Sequence, residues 1–270
     1  LGEFEGLEKD VLDDFDSGEL RNGKAYTLNT RVDLNERPLI YDADYARQYK
    51  FVEYFNPKNL LLELINYLDW KLKGVIETSR GCVFSCDFCS ACLSQRLSFK
   101  DPEVLREELR ITIKKQGKKL IYYIVDNNFI NGNPKHALDV LKVLNEFGVK
   151  YVFETSLESL NEELLREMSK GCPLFFTGLE DLVSPEVPGS KGAKRAEKYQ
   201  EIIRKIHEYG ITVVASTILG MDSEVDEAYF TKSKNAIQNI GVDLPAFLIR
   251  VPLPGTKDYF QLKDKIFIHD

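Results

Sequence analysis

The feature that most constrains the fold of this chain is a glycine followed by an apolar run, which recurs six times. The glycines are Gly74, Gly117, Gly148, Gly171, Gly210 and Gly241. The runs are VIETS (75–79), LIYYIVD (120–126), YVFETS (151–156), PLFFTGLE (173–180), ITVVASTILG (211–220) and LPAFLIRV (244–251). Continuous apolar runs are typical of strands buried on both faces, and glycine can end a helix in the left-handed conformation. We therefore expect each glycine to close a helix and each run to form a strand.

Helix-start signals lie between the predicted strands. They are Asp101 with Pro102, Asn133 with Pro134, and Ser223 ahead of Asp226. Strands that alternate with helices predict right-handed crossovers in a parallel sheet. The predicted fold class is α/β: a partial (β/α)6 TIM-like barrel with parallel strands, two units short of a closed eight-stranded barrel. A doubly wound open sheet is the alternative.

The chain before the first predicted strand has a different character. Residues 1–56 begin acidic and show no clear period, which indicates a linker or packing segment. Residues 57–73, PKNLLLELINYLDWKLK, have leucines at helical spacing, with Trp70 as a packing residue. We expect an N-terminal linker and packing helix over 1–73, the partial barrel over 74–260 and a tail over 261–270. Because the start has neither an initiator Met nor a signal sequence, we expect a longer parent polypeptide.

Composition excludes several function classes. The formal net charge of -7 and a pI near 5.3 argue against sequence-independent binding of nucleic acid. The longest apolar strings, such as LIYYIV, are too short to span a bilayer. Five cysteines, three of them crowded together, do not resemble the even disulfide framework of a small secreted domain. We therefore expect a cytoplasmic location.

The segment ETSRGCVFSCDFCS (77–90) carries Cys82, Cys86 and Cys89 in the order C-x3-C-x2-C. Structural zinc sites favour four ligands in two separated pairs, and no second CxxC exists. An electron-transfer cluster favours four thiolates, for which Cys92 is the nearby candidate. The third interpretation is a [4Fe-4S] cluster with three thiolates and one iron open to a substrate or cosubstrate, as in a catalytic metal site with a vacant position.

This motif, which lies after the first predicted strand of a six-unit chain, resembles that of the radical S-adenosylmethionine (radical SAM) superfamily. IVDNNFINGNPKHA, FTGLE, KIHEYGITVVASTILGMD and IRVPLPGT resemble later motifs of the branch that carries a cobalamin-binding domain before its core. LGEFEG resembles the end of that cobalamin domain, and DLNERPLIYDADY the connector. By this resemblance the cobalamin domain itself is absent from the chain, as is the region that usually follows the core.

The resemblance implies that Cys82, Cys86 and Cys89 bind the cluster, whose open iron binds S-adenosylmethionine. An external electron donor of the flavodoxin or ferredoxin type supplies the electron that yields a 5'-deoxyadenosyl radical, which abstracts hydrogen from an organic substrate. The implied contacts of the cosubstrate are Phe88 for the adenine, and Asp126 with Asn127 and Asn128 for the amino group. Glu180 would accept hydrogen bonds from the ribose hydroxyls or the amino group, and Glu154 is the second candidate for this role. Lys191 or Arg195 would contact the carboxylate, and Asp222 with the Pro252–Gly255 turn would border the nucleoside.

Structural alternatives accompany these roles. Asp126 and Asn128 can cap a helix or hold a turn, Glu180 can form a structural ion pair, and Lys191 can belong to a solvated face. Burial explains Cys172, and His136, His207 and His269 show no sign of a ligand or base. In function, the alternative to an enzyme is an iron-sulfur or structural metal module without turnover. Where the parent polypeptide binds cobalamin, the resemblance implies methyl transfer, radical rearrangement or ring closure.

Overall fold

A computed structural model of the protein describes Asn35 and residues 73–93, 97–183, 196–221 and 226–265. The expected linker over 1–56 and the expected helix over 57–73, Trp70 included, lie outside these residues apart from Asn35 and Lys73. None of the helices in the described part of the chain combines the length and apolarity needed to cross a lipid bilayer.

The described part of the chain has eight strands. The strands are β1 (Lys73–Ile76), β2 (Ser79–Arg80), β3 (Ser98–Phe99), β4 (Ile121–Ile124), β5 (Tyr151–Val152), β6 (Leu174–Gly178), β7 (Thr212–Leu219) and β8 (Leu244–Ile249). Six of them, β1 and β4 to β8, are parallel and follow one another in chain order, as the sequence predicts. β1 pairs with β4 and β4 with β5, and β6 pairs with β7 and β7 with β8, all in parallel. β2 and β3 form a short antiparallel ribbon beside them.

A parallel bridge between Glu154 and Phe176 joins the two three-stranded sheets. Beside this bridge, Phe176 N–H donates a 2.8 Å hydrogen bond to the carbonyl of Phe153, and Thr155 N–H donates a 2.9 Å hydrogen bond to the carbonyl of Phe176. The spatial order is therefore β1, β4, β5, β6, β7, β8, with no reversal of the kind that defines a doubly wound sheet. The α/β fold class with parallel barrel-type strands is confirmed, and the chain does not adopt the doubly wound alternative.

Helices connect the strands. They are α1 (Pro102–Gln116), α2 (Pro134–Glu146), α3 (Glu162–Gly171), α4 (Ala196–Glu208), α5 (Glu227–Ile240) and α6 (Lys257–Leu262). Asp101 and Asn133 cap α1 and α2 by accepting hydrogen bonds from the main-chain N–H groups of Glu103 and His136, as expected. Asp226 caps α5 by accepting a hydrogen bond from Tyr229 N–H. Of the predicted pair Ser223 and Asp226, the capping residue is therefore Asp226. Each cap satisfies a donor that the helix leaves without a partner.

The glycine prediction is correct at four positions and wrong at two. Gly117, Gly148, Gly210 and Gly241 have positive φ and follow helices. Gly74 instead lies within β1, where a β-carbon would overlap the ring of Tyr122. Gly171 is the last residue of α3, where a β-carbon would overlap the ring of Tyr151. At both positions glycine permits close packing rather than a left-handed turn.

The two faces of the sheet differ in burial. Tyr122 and Ile124 pack into the core beneath the helices, together with a row of aromatic rings from Phe129, Phe153 and Phe175. The alternating residues Val75, Tyr123 and Val125 are exposed on the opposite face. We call this opposite side of the strands the open face. All residues of β8 are exposed.

Candidate functional site

The three predicted ligand cysteines lie in one loop between β2 and a 3-10 helix at Ser90–Leu93. Cys82, Cys86 and Cys89 are each half-buried. A turn brings the second and third together, because the N–H of Cys89 donates a 3.1 Å hydrogen bond to the carbonyl of Cys86. We call residues 81–89 the cysteine loop. It follows the first strand, at the edge of the sheet where the carboxyl ends of parallel strands meet.

The donor chemistry of the cysteine loop fits an iron-sulfur cluster. Within the described residues, no three His, Cys, Asp or Glu side chains converge as a single metal ion requires. A cubane cluster has a different requirement, since each thiolate binds a separate iron atom and the sulfurs stand apart. Three half-buried thiols on a loop of nine residues suit such a cluster. The side chain of Cys92, the candidate fourth ligand, lies outside the described part.

The far end of the sheet also contacts the cysteine loop. The N–H of Asp258, in α6, donates a 3.0 Å hydrogen bond to the carbonyl of Asp87, and Lys257 Nζ lies 3.0 Å from Asp87 Oδ1. Asp258 is buried and forms a bidentate ion pair with Arg250, which also donates to the carbonyl of Met221 at 3.0 Å. The loop after β1 is thereby fastened to the segment after β8. Sequence reasoning missed the Arg250–Asp258 pair, whose bonds to Met221 and Asp87 link distant parts of the chain.

Asp126 lies at the end of β4 and contacts the end of β1. Its carboxylate accepts hydrogen bonds from Thr78 N–H at 2.7 Å, Thr78 Oγ1 at 2.5 Å and Ser79 Oγ at 2.8 Å. Burial raises the pKa of this carboxyl, although the bonds from Thr78 and Ser79 act in the opposite direction. Asp126 therefore fixes the strand that leads into the cysteine loop.

Asn128 is likewise engaged by its neighbours. It is buried, its Oδ1 accepts from Thr155 Oγ1 at 2.8 Å, and its Nδ2 donates to Ser156 Oγ at 3.2 Å. These bonds join the loop after β4 to the loop after β5. Asn127, between the two buried residues, is exposed.

Glu154 projects from the end of β5 on the open face. It is exposed and lies near Tyr123. The pKa of Tyr123 is raised, mainly by partial burial and further by the negative charge of the Glu154 carboxylate. The ring of Tyr123 also contacts that of Phe176 edge-to-face, with centroids 6.3 Å apart. The open face thus combines aromatic surface with an accessible carboxylate.

Glu180 follows β6 with an unusual backbone. Its φ is +56°, a left-handed value that residues with side chains adopt uncommonly. Ile218 N–H and Thr217 Oγ1, both from β7, donate to its carbonyl and hold the turn. The carboxylate lies where a β-carbon on Gly178 would be. Gly178 shares the strand face of Phe176, so Glu180 folds back over the open face at its carboxyl edge.

Some of the remaining predicted residues lie in the described part of the chain, and the others lie outside it. Phe88 is half-buried in the turn between Cys86 and Cys89. Pro252–Gly255 forms a turn before α6, with Gly255 at φ +89°. Lys191, Arg195, Asp222 and His269 lie outside the described residues.

Cys172 is buried, which raises the pKa of its thiol. His136 is buried against Phe99, with Nε2 2.7 Å from the carbonyl of Lys100.

Comparison with known proteins gives consistent matches. Residues 76–229 match the family described as the Radical SAM superfamily. The chain is 30% identical over 269 residues to an uncharacterized methyltransferase of Pyrococcus horikoshii, covering 95% of this chain and 56% of that protein. It is 25% identical over 197 residues to the bacteriochlorophyllide d C-12(1)-methyltransferase of Chlorobaculum tepidum, covering 71% and 43%. The chain spans about half the length of these curated relatives.

Among solved structures, the fold resembles that of TsrM from Kitasatospora setae. That protein is a radical S-adenosylmethionine methyltransferase whose structure contains cobalamin and a [4Fe-4S] cluster. The TM-score is 0.63 at 16% identity, covering 74% of this chain and 38% of that one. At this identity the likeness shows a shared fold.

Proposed function

The chain belongs to the radical SAM superfamily, and from this premise we propose that the cysteine loop binds a [4Fe-4S] cluster through Cys82, Cys86 and Cys89. When bound, the cluster supplies the electron that cleaves S-adenosylmethionine to methionine and a 5'-deoxyadenosyl radical. The observation that supports the proposal most directly is the position of the cysteine loop. It lies at the carboxyl edge of six parallel strands, next to an open face that can receive the radical's target.

The protein's own residues serve to bind and orient the cosubstrate. Glu180 is the strongest candidate for a hydrogen-bond acceptor, because its carboxylate lies over the open face and its backbone is fixed by β7. Glu154 is the second candidate, since it is exposed on the same face. Phe88, in the turn beside Cys89, is suited to the adenine. Lys191 for the carboxylate and Asp222 for the nucleoside stay predictions from the sequence.

Asp126 and Asn128 take a supporting role in this proposal. Both are buried and bonded to neighbouring loops, Asp126 to Thr78 and Ser79, and Asn128 to Thr155 and Ser156. They hold the carboxyl ends of β1, β4 and β5 in a fixed relation. Preorganised loops of this kind lower the conformational entropy lost when a ligand binds.

The open face favours an organic substrate with an apolar part. Val75, Tyr123 and Val125 expose apolar surface there, and Glu154 adds one carboxylate near its edge. Burying apolar surface contributes about 25 cal/mol per Å² of area removed from water. We further propose methyl transfer with cobalamin, supported by the methyltransferase names of the curated relatives and the cobalamin in the TsrM structure. A flavodoxin- or ferredoxin-type protein would deliver the electron.

Anaerobic reconstitution tests the proposal. The chain is supplied with iron, sulfide and S-adenosylmethionine and reduced with dithionite, and the products are separated by chromatography. We expect one oxygen-sensitive [4Fe-4S] cluster and the formation of 5'-deoxyadenosine. A chain that keeps its iron but leaves S-adenosylmethionine intact would instead be an electron-transfer or structural metal module, and the proposed chemistry would be rejected.

A further inference from the structure

Asn131 bonds the cysteine loop on both sides of one predicted ligand. Its Nδ2 donates to the carbonyl of Gly81 at 2.9 Å, and its Oδ1 accepts from the N–H of Val83 at 2.9 Å. These are the main-chain groups of the residues immediately before and after Cys82. The side chain is 1% exposed, so neither bond competes with bulk water.

The chemistry of this contact requires an amide. A carboxylate at the same position would accept from Val83 but would face the Gly81 carbonyl with a second acceptor, and an apolar side chain would leave both buried groups without a partner. The backbone of Asn131 has φ +46°, a left-handed value that asparagine tolerates better than most residues. Asparagine therefore suits both the backbone and the two bonds.

The neighbouring residues hold Asn131 in place. Gly132 also has positive φ, and a β-carbon there would lie 3.0 Å from Val83 Cγ1. The N–H of Asn133 donates to the carbonyl of Ile130 at 2.8 Å, which closes the turn that carries Asn131. The loop after β4 is thus shaped against the cysteine loop.

We propose that Asn131 is a positioning residue that fixes the backbone around Cys82 in the apoprotein and so orders the cysteine loop for its cluster. The part that concerns the cluster rests on the proposed function, whereas the ordering of the loop does not. The physical gain is entropic, because a loop already held at residues 81–83 loses less freedom when its thiolates bind iron.

Two substitutions and one control test this. Asn131→Asp keeps the shape but removes the donor to Gly81, and Asn131→Gly removes the amide while permitting the same φ. Asn133→Asp is the matched control in the same loop, since Asn133 Oδ1 only accepts a bond from His136 N–H and aspartate caps helices equally well. Thermal unfolding of each variant monitors folding.

The first readout is amide hydrogen exchange of the cluster-free chain, followed by mass spectrometry. We expect peptides that contain residues 81–83 to exchange roughly fivefold to tenfold faster in both Asn131 variants, the effect of losing one net hydrogen bond. Asn133→Asp should match the unsubstituted chain. Unchanged exchange in both Asn131 variants would overturn the proposal.

The second readout is the rate at which an iron chelator strips the reconstituted chain. We expect both Asn131 variants to lose iron roughly fivefold faster than Asn133→Asp. Faster hydrogen exchange together with an unchanged rate of iron loss would overturn the proposed role of Asn131 in ordering the loop for the cluster. If the unsubstituted chain takes up no cluster, the proposed function fails, and the exchange experiment still decides whether Asn131 orders the loop.

Discussion

The carboxylate of Glu180 occupies the space that a side chain on Gly178 would fill. Glu180 reaches this position with a left-handed backbone, which β7 stabilises through Thr217 and Ile218. The absence of a side chain at position 178 and the unusual φ at position 180 therefore belong to one arrangement, which delivers a carboxylate to the open face.

Gly178→Ala should displace the Glu180 carboxylate and weaken the binding of S-adenosylmethionine. Glu180→Gln should act in the same direction by removing the charge, since a hydrogen bond to a charged group contributes about 1.5–3 kcal/mol. We expect the dissociation constant to rise at least about tenfold in both variants, as measured by equilibrium dialysis with the reconstituted chain. Gly210→Ala is the control for a general loss of stability, since its positive φ strains an alanine although no atom lies within 4 Å of the added β-carbon, and it should leave binding unchanged.

Serine at Cys82, Cys86 or Cys89 should abolish the stable cluster, because a hydroxyl is a poor ligand for iron-sulfur centres. Iron content and the visible absorbance of the reconstituted chain measure the loss. Cys172→Ser is the matched control, as this buried cysteine donates to the carbonyl of Leu174 at 3.1 Å and lies in the core. A cluster retained in full by any of the three loop variants would remove that residue from the ligand set.

The buried Asp126 should make stability depend on pH in a defined direction. Burial raises its pKa above the ordinary value of 3.8, so the folded chain binds a proton that the unfolded chain has already released. The free energy of unfolding should therefore fall as pH rises from about 3.8 through the raised pKa, with a slope of up to about 1.4 kcal/mol per pH unit.

Asp126→Asn removes this titration, and urea unfolding at a series of pH values measures the difference. The stability of the variant should vary less with pH in that window, because an amide does not titrate there. Parallel curves for the two proteins would show that Asp126 does not titrate there.

Arg250→Met should destabilise the chain strongly, because it leaves the carboxylate of Asp258 buried with its main charged partner gone. Breaking one side of a buried ion pair costs about 3–5 kcal/mol. Lys257→Met, by contrast, removes an exposed ion pair with Asp87 and should cost less than about 1 kcal/mol. Chemical unfolding compares the two; equal effects would mean that the Arg250–Asp258 pair does not stabilise the segment after β8.

The sequence predicts the strands, most of the caps and the cysteine loop because each has a local signal. Apolar runs mark the strands, and Asp101 and Asn133 mark helix starts through bonds to residues two or three positions along the chain. Gly74 and Gly171 mislead because their role is set by Tyr122 and Tyr151, which approach from other elements.

The supporting contacts of the site could not be predicted in the same way. Asn131 lies in the IVDNNFINGNPKHA stretch, where its Asn-Gly pair indicates a turn. Its bonds to Gly81 and Val83 have no local signal, because they exist only through the position of β4 beside β1. Arg250 lies in the IRVPLPGT stretch, but neither it nor Asp258 has a local signal that predicts a buried ion pair. Their burial follows from tertiary packing around the cysteine loop.

The bond between Asp87 and the segment after β8 has a consequence for the order of events during synthesis. Lys257 and Asp87 are separated by 170 positions, so this contact cannot form until nearly the whole core has left the ribosome. Contacts between distant residues also form slowly, because a long loop must close first. The cysteine loop therefore gains its full set of contacts only after the segment that follows β8 has been made.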